Sequence, residues 1–351
     1  MKARLSALAM AAALISSSNL VRADVLWNAA SGDWGNAANW TPNQVPNIQG
    51  HSGPADVVTV SSGAVTYSGS DGDWRNNTTV TVTGAGTTWT QSSGNWLKIA
   101  DGSGTTGVLN VNAGAVFDAH NAGVTFVGNG GTGTLNLNGG SYIGAQVQVA
   151  VGSAIAISNG GSLSTNTQFL LNAGSAITAN TGAQLSINGD MPIYGFLSIA
   201  GVGTVVNLHN HEFQPKGGAG MSVSMSGGEL DANVVSFNGS TTSMDFSGGT
   251  INVTNNQNGI WAGPGGYLNF TPGSTGVFHV TNELASHATA DLLNNGKIKL
   301  DNAVNPGAFT VVPDLAGTGV LISLPAAIPE PASLSLLAIG AAGLLGRRRR
   351  A

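Results

Sequence analysis

Gly104-Thr105-Thr106-Gly107-Val108-Leu109-Asn110-Val111-Asn112-Ala113-Gly114 returns one period later as Gly130-Gly131-Thr132-Gly133-Thr134-Leu135-Asn136-Leu137-Asn138-Gly139-Gly140, identical at seven of eleven positions. A looser form of the same phrase, apolar-x-apolar followed within two or three residues by glycine, extends outward from this pair. It fits Ile155-Ala156-Ile157, Val223-Ser224-Met225, Met244-Asp245-Phe246 and Leu268-Asn269-Phe270. The clearer copies recur at intervals of roughly 20–26 residues, and a period in that range is the mark of a solenoid. Between residues 169 and 201 the spacing tightens to about 12–16, which leaves the register there open.

Short strands with alternating apolar positions bury one face. The pairs Gly139-Gly140, Gly160-Gly161, Gly227-Gly228 and Gly248-Gly249 supply corners that require positive φ. Asn112, Asn138, Asn159 and Asn172 stand beside such corners, where asparagine tolerates the left-handed region and can stack into side-chain ladders. The expectation is an all-β, right-handed parallel β-helix of roughly 10–12 coils over residues 78–317, about 50 Å long. Each coil rests on its neighbours, so the stack needs no network of charges. A β-sandwich is the competing reading, since its turns also recur at short intervals.

Composition agrees with a β-rich, turn-dense chain. Of 351 residues, 52 are glycine, 34 asparagine and only 8% charged, against about 25% in an ordinary domain, which argues against amphipathic helices. There is no cysteine, which excludes disulfides, thiolate nucleophiles and cysteine-ligated metals. Residues 24–330 carry five basic side chains against 17 acidic ones, the wrong sign for a nucleic-acid partner.

The ends read as addresses. Lys2 and Arg4, an apolar run from Leu5 to Ile15 and Val21-Arg22-Ala23 make a secretory leader over residues 1–23, cut between Ala23 and Asp24. Residues 24–77 open with Trp27, Trp34 and Trp40 and form a Trp-rich N-terminal cap, with a sugar-stacking platform as the rival reading. Residues 318–328 are a linker. Beyond them come Pro329-Glu330-Pro331, an apolar helix over 332–346, and Arg347, Arg348, Arg349 and Arg350. Fifteen helical residues rise about 22 Å, a marginal span, and the arginines stay on the cytoplasmic side.

Taken together, residues 329–351 resemble the PEP-CTERM sorting signal of Gram-negative, exopolysaccharide-producing bacteria. The resemblance implies a transient stay in the inner membrane and processing by an exosortase, then release or attachment at the cell surface or in the extracellular matrix. The Trp-rich opening and Gly-rich repeats also resemble the passenger regions of autotransporter-like β-strand-repeat proteins.

Candidate chemistry is thin. Glycoside hydrolysis needs two carboxyl groups facing across a cleft. No two acids are adjacent, and the pair Asp71-Gly72-Asp73 is a weak calcium candidate that reads better as a surface turn. His209-Asn210-His211-Glu212 puts two histidines on one face if it is a strand, a weak zinc or copper candidate. Within 24–330 Arg75 is the one arginine, and Lys297-Ile298-Lys299 is the nearest approach to a pectinase-like basic motif. The expectation is a non-enzymatic structural protein without cofactor or resident metal, associated with exopolysaccharide. A β-helix carbohydrate-active enzyme and an adhesin are the alternatives.

Overall fold

The two copies of the repeat lie directly on one another. Thr106–Asn112 and Thr132–Asn138 pair in parallel, with Gly107 opposite Gly133, Leu109 opposite Leu135 and Asn110 opposite Asn136. The computed structural model describes residues 24–46, 56–69, 71–75, 77–217, 221–238, 242–255, 259–263, 265–281, 283–314 and 319–325. Within them the chain winds into a parallel β-solenoid with three walls. The first wall runs from Asp24–Trp27 to Ile298–Leu300, the second from Ser31–Asp33 to Val277–Val280, and the third from Gly72–Asp73 to Ile260–Ala262.

Alternation decides which way each side chain points. Along the first wall, Val25, Val58, Val80, Leu109, Leu135, Ile155, Ile177, Leu197, Val223, Met244, Leu268 and Ile298 stack in unbroken register. None is more than 2% exposed. Burying such a side chain contributes about 1.5–3 kcal/mol, and the row repeats that gain at each coil. The tightened spacing near 169–201 has a simple cause. Leu185-Ser186-Ile187 and Leu163-Ser164-Thr165 carry the same alternation on the second wall, so phrases from two walls interleave in the sequence.

The glycine pairs divide their labour. Gly160 takes φ +76° with open space around its Cα, whereas Gly161 has ordinary φ and packs against Leu137, whose carbonyl carbon a Cβ would meet at 2.9 Å. Of the four corner asparagines, only Asn159 has positive φ. Its amide donates to Asn138 Oδ1 at 2.6 Å. A further asparagine contact lies mid-strand, where Asn136 donates to Asn110 Oδ1 at 2.9 Å and Asn110 to Thr81 Oγ1 at 3.2 Å.

Among the described residues the third wall has nine strands, which gives about nine coils, fewer than the 10–12 that length divided by period implies. That division assumes uniform coils, whereas successive first-wall strands lie at unequal intervals, with Val80 paired to Leu109 but Leu135 to Ile155. At the N-terminal end Trp27 faces Trp40 in an antiparallel pairing. Trp27, Trp34 and Trp40 are buried, and ring contacts run from Trp27 through Trp40, Trp34, Trp89 and Phe117 to Tyr142. These rings fill the first coils, as a cap requires and a sugar platform does not.

At the other end, a helical turn Ala285–Ala288 continues as Thr289–Asn294 and buries Ala288, Leu292 and Leu293 against the column. Thr310–Pro313 and Val320–Ser323 add two antiparallel strands to the second wall. Val320–Ser323 falls in the stretch read as linker. Among the described residues no helix is long and apolar enough to cross a membrane. The predicted apolar helix 332–346 lies outside them, as do Ala23, Pro329, Glu330, Pro331 and the four terminal arginines.

Candidate functional site

The histidine candidates do not share a strand. His209 and Asn210 form a tight turn with φ of 47° and 69°, and the strand Glu212–Pro215 begins only after His211. The side chains diverge accordingly. His209 Nε2 lies 2.7 Å from Ser186 Oγ, His211 Nδ1 faces Asp190 Oδ1 at 3.7 Å, and Glu212 accepts a hydrogen bond from Gln214 at 2.8 Å. Same-face spacing requires an extended backbone, and the turn removes it. Among the described residues no three His, Asp or Glu side chains gather to hold a metal ion.

Asp71 and Asp73 also part company. Asp71 accepts a backbone bond from Asn95 at 3.2 Å. Asp73 joins a cluster on the outside of the third wall. Strand pairing sets it opposite Lys98, whose Nζ lies 3.1 Å from Asp73 Oδ1. Arg75 bridges Asp73 and Asp101 at 3.0 and 2.8 Å, and Asn129, one coil on, donates to Asp101 at 2.6 Å. Burial works against ionisation of Asp101, but the bonds from Asn129 and Arg75 and the charges of Lys98 and Arg75 outweigh it. Its carboxyl therefore titrates below the usual range. The early coils thus carry a local cluster of ion pairs in addition to the stacked apolar rows. Trp96, 41% exposed, stands beside it with Lys98 Nζ 5.1 Å from its ring centre. The two carboxylates are paired with cations rather than facing a cleft.

A groove of about 310 Å³ opens on the second wall, lined by Asn207, His209, Asn210, Asp231, Asn252 and Thr254. Asn207, Asp231 and Asn252 occupy one outward position on three successive coils, each following an inward aliphatic residue, Val206, Leu230 or Ile251. Asn252 Nδ2 donates to Glu229 Oε1 at 2.6 Å and to Asp231 Oδ1 at 2.8 Å. Its Oδ1 faces His279 Nδ1 at 3.2 Å, and His279 Nε2 lies 3.3 Å from Asp314. Asn207 Oδ1 accepts the His209 amide at 2.8 Å. Sequence reading passed over these residues because they belong to different repeats. The usable signal was the polar residue after each inward aliphatic, once the copies are aligned.

Comparison with known proteins bears on the far C-terminus. Residues 327–350 match the PEP-CTERM protein-sorting motif. No curated protein and no solved structure matches the chain significantly. The motif implies an exported protein that passes the inner membrane towards the cell surface and is sorted by an exosortase.

Proposed function

We propose that this chain is a non-enzymatic structural protein of the bacterial surface or extracellular matrix, processed near Pro329-Glu330-Pro331 by an exosortase and associated with exopolysaccharide. In this reading residues 332–346 hold the chain transiently in the inner membrane, with the arginines on the cytoplasmic side. The observation that carries the proposal is the sorting motif at the end of a self-supporting column. Its outward first-wall row presents hydroxyls and amides, Thr59, Thr81, Asn110 and Asn136, at successive coils. Repetition of weak polar contacts along a rigid rod adds avidity.

The test is to recover the protein from native matrix, measure its C-terminal mass and incubate it with the isolated polysaccharide. The expected result is a terminus near residues 329–331, co-sedimentation with polymer and unchanged polymer length. Depolymerisation at an enzyme-like rate, or a soluble protein indifferent to the polymer, overturns the proposal.

A glycan-cleaving enzyme is the second reading, favoured by Glu229 and Asp231, two carboxylates bonded to one Asn252 amide. They sit two residues apart on one strand, facing the same way, whereas glycosidase carboxyls flank the bond they break. Loss of a measured cleavage activity in Glu229→Gln and Asp231→Asn would establish this second reading.

A further inference from the structure

We infer that the second-wall groove is a specific subsite for an uncharged, hydroxyl-rich polysaccharide segment; the inference rests on the matrix reading above and narrows its partner. The groove mixes donors and acceptors whose internal bonds leave complementary atoms over. Asn207 uses Oδ1 on the His209 amide, which leaves its Nδ2 to donate. Asp231 uses Oδ1, and Glu229 beside it Oε1, on Asn252, which leaves Asp231 Oδ2 and Glu229 Oε2 to accept. A sugar hydroxyl both donates and accepts, so neighbouring hydroxyls satisfy an amide N–H and a carboxylate oxygen together.

The arrangement is preorganised. Asn252 is held from both sides, by the carboxylates and by His279, and the three strands beneath are locked in parallel register. Little side-chain freedom is lost when a ligand arrives. A volume near 310 Å³ lies at the small end of ligand pockets and suits one or two sugar rings.

Charge selects the class of polymer. Two carboxylates in or beside the groove, on a body with 17 acids and five bases, repel a uronate-bearing chain. Arg75 and Lys98 are engaged with Asp73 and Asp101 on another wall. An uncharged polymer meets no such barrier.

The test measures retention of the host-exported protein on immobilised dextran and mannan, both neutral, and on alginate, a polyuronate. Wild-type protein is expected to bind at least one neutral polymer and to bind alginate at least tenfold more weakly. Asn207→Ala with Asp231→Ala should weaken neutral-polymer binding by about tenfold or more, as expected for lost bonds to a charged group. Asp231→Asn, which keeps the side chain's shape, should weaken it in the same direction, and Gln148→Ala, at an outward position of the third wall, should leave it within about twofold. Circular dichroism and melting temperature verify that each variant is folded. If the protein binds no polysaccharide, native matrix polymer included, the matrix reading fails and this inference with it. Binding that is unchanged in folded groove variants, or that favours alginate, overturns the groove assignment alone.

Discussion

The phenol oxygen of Tyr142 and the hydroxyl oxygen of Thr125 lie 2.6 Å apart in the interior of the solenoid, joining the second wall to the third. Both residues are fully buried. Thr125 interrupts an otherwise apolar inward row between Leu97 and Val147, and Tyr142 stacks on Phe117. Burial pushes the Tyr142 phenol well above its usual titration range. The phenol is therefore neutral around pH 7 and faces the Thr125 hydroxyl as an uncharged partner.

Tyr142→Phe should cost about 1–2 kcal/mol, because it leaves the Thr125 hydroxyl buried without its partner. Adding Thr125→Val should recover much of that loss, since both polar groups then disappear together. Urea unfolding of the two single variants and the double variant reads the coupling. Strict additivity would show that the contact has no energetic weight.

Trp89 touches Trp34, Trp74, Tyr67 and Phe117 at the centre of the aromatic row. Trp89→Ala should destabilise by about 3–5 kcal/mol through the cavity it leaves. Contacts reach only the nearest one or two coils, so amide exchange should accelerate in residues 24–144 and change little beyond residue 200. Uniform acceleration along the chain would contradict a nearest-neighbour stack.

The Asp101 carboxyl titrates lower in the folded chain than the ordinary unfolded value near 3.9, so the unfolded state takes up its proton first as pH falls. Its contribution is complete above about pH 5 and disappears as pH falls through the folded value, below about 4. Asp101→Asn should therefore lower the melting temperature at pH 7, by the equivalent of about 1–3 kcal/mol, and the gap to wild type should narrow by pH 3. Melting curves from pH 7 to pH 3 check this, and a constant gap would rule it out.

Gly160 and Gly161 separate two uses of glycine. Gly161→Ala drives a methyl group into the backbone of Leu137 and should cost about 2 kcal/mol or more. Gly160→Asn meets open space and asks only for a left-handed backbone that asparagine tolerates, so its cost should stay near 1 kcal/mol. Chemical denaturation of the two variants tests the ranking, and the reverse order would refute it.

Glu330→Ala, or removal of residues 347–350, should leave the chain uncut and retained in the membrane if the matched motif directs processing. Membrane fractionation and C-terminal mass report the result. Wild-type release of both variants would sever the motif from sorting.

Much of the column was legible in residues 104–140. Alternation set the inward rows, and the alignment of the two copies is the strand register itself, because parallel strands of a repeat pair like with like. The Trp-rich start announced an aromatic plug for the same reason, since three indoles within a short stretch need burial. The sorting motif was legible because its recognition is linear. Neither the charge cluster of Asp73, Arg75, Lys98 and Asp101 nor the groove of Asn207, Asp231 and Asn252 could be read this way. Their members meet across coils, and which residues meet depends on how many residues each turn consumes before the chain returns to the same wall. Local periodicity fixes the direction of a side chain, in or out. The turns determine its neighbour, and turn length differs from coil to coil, so only the wound structure decides where charges and amides converge.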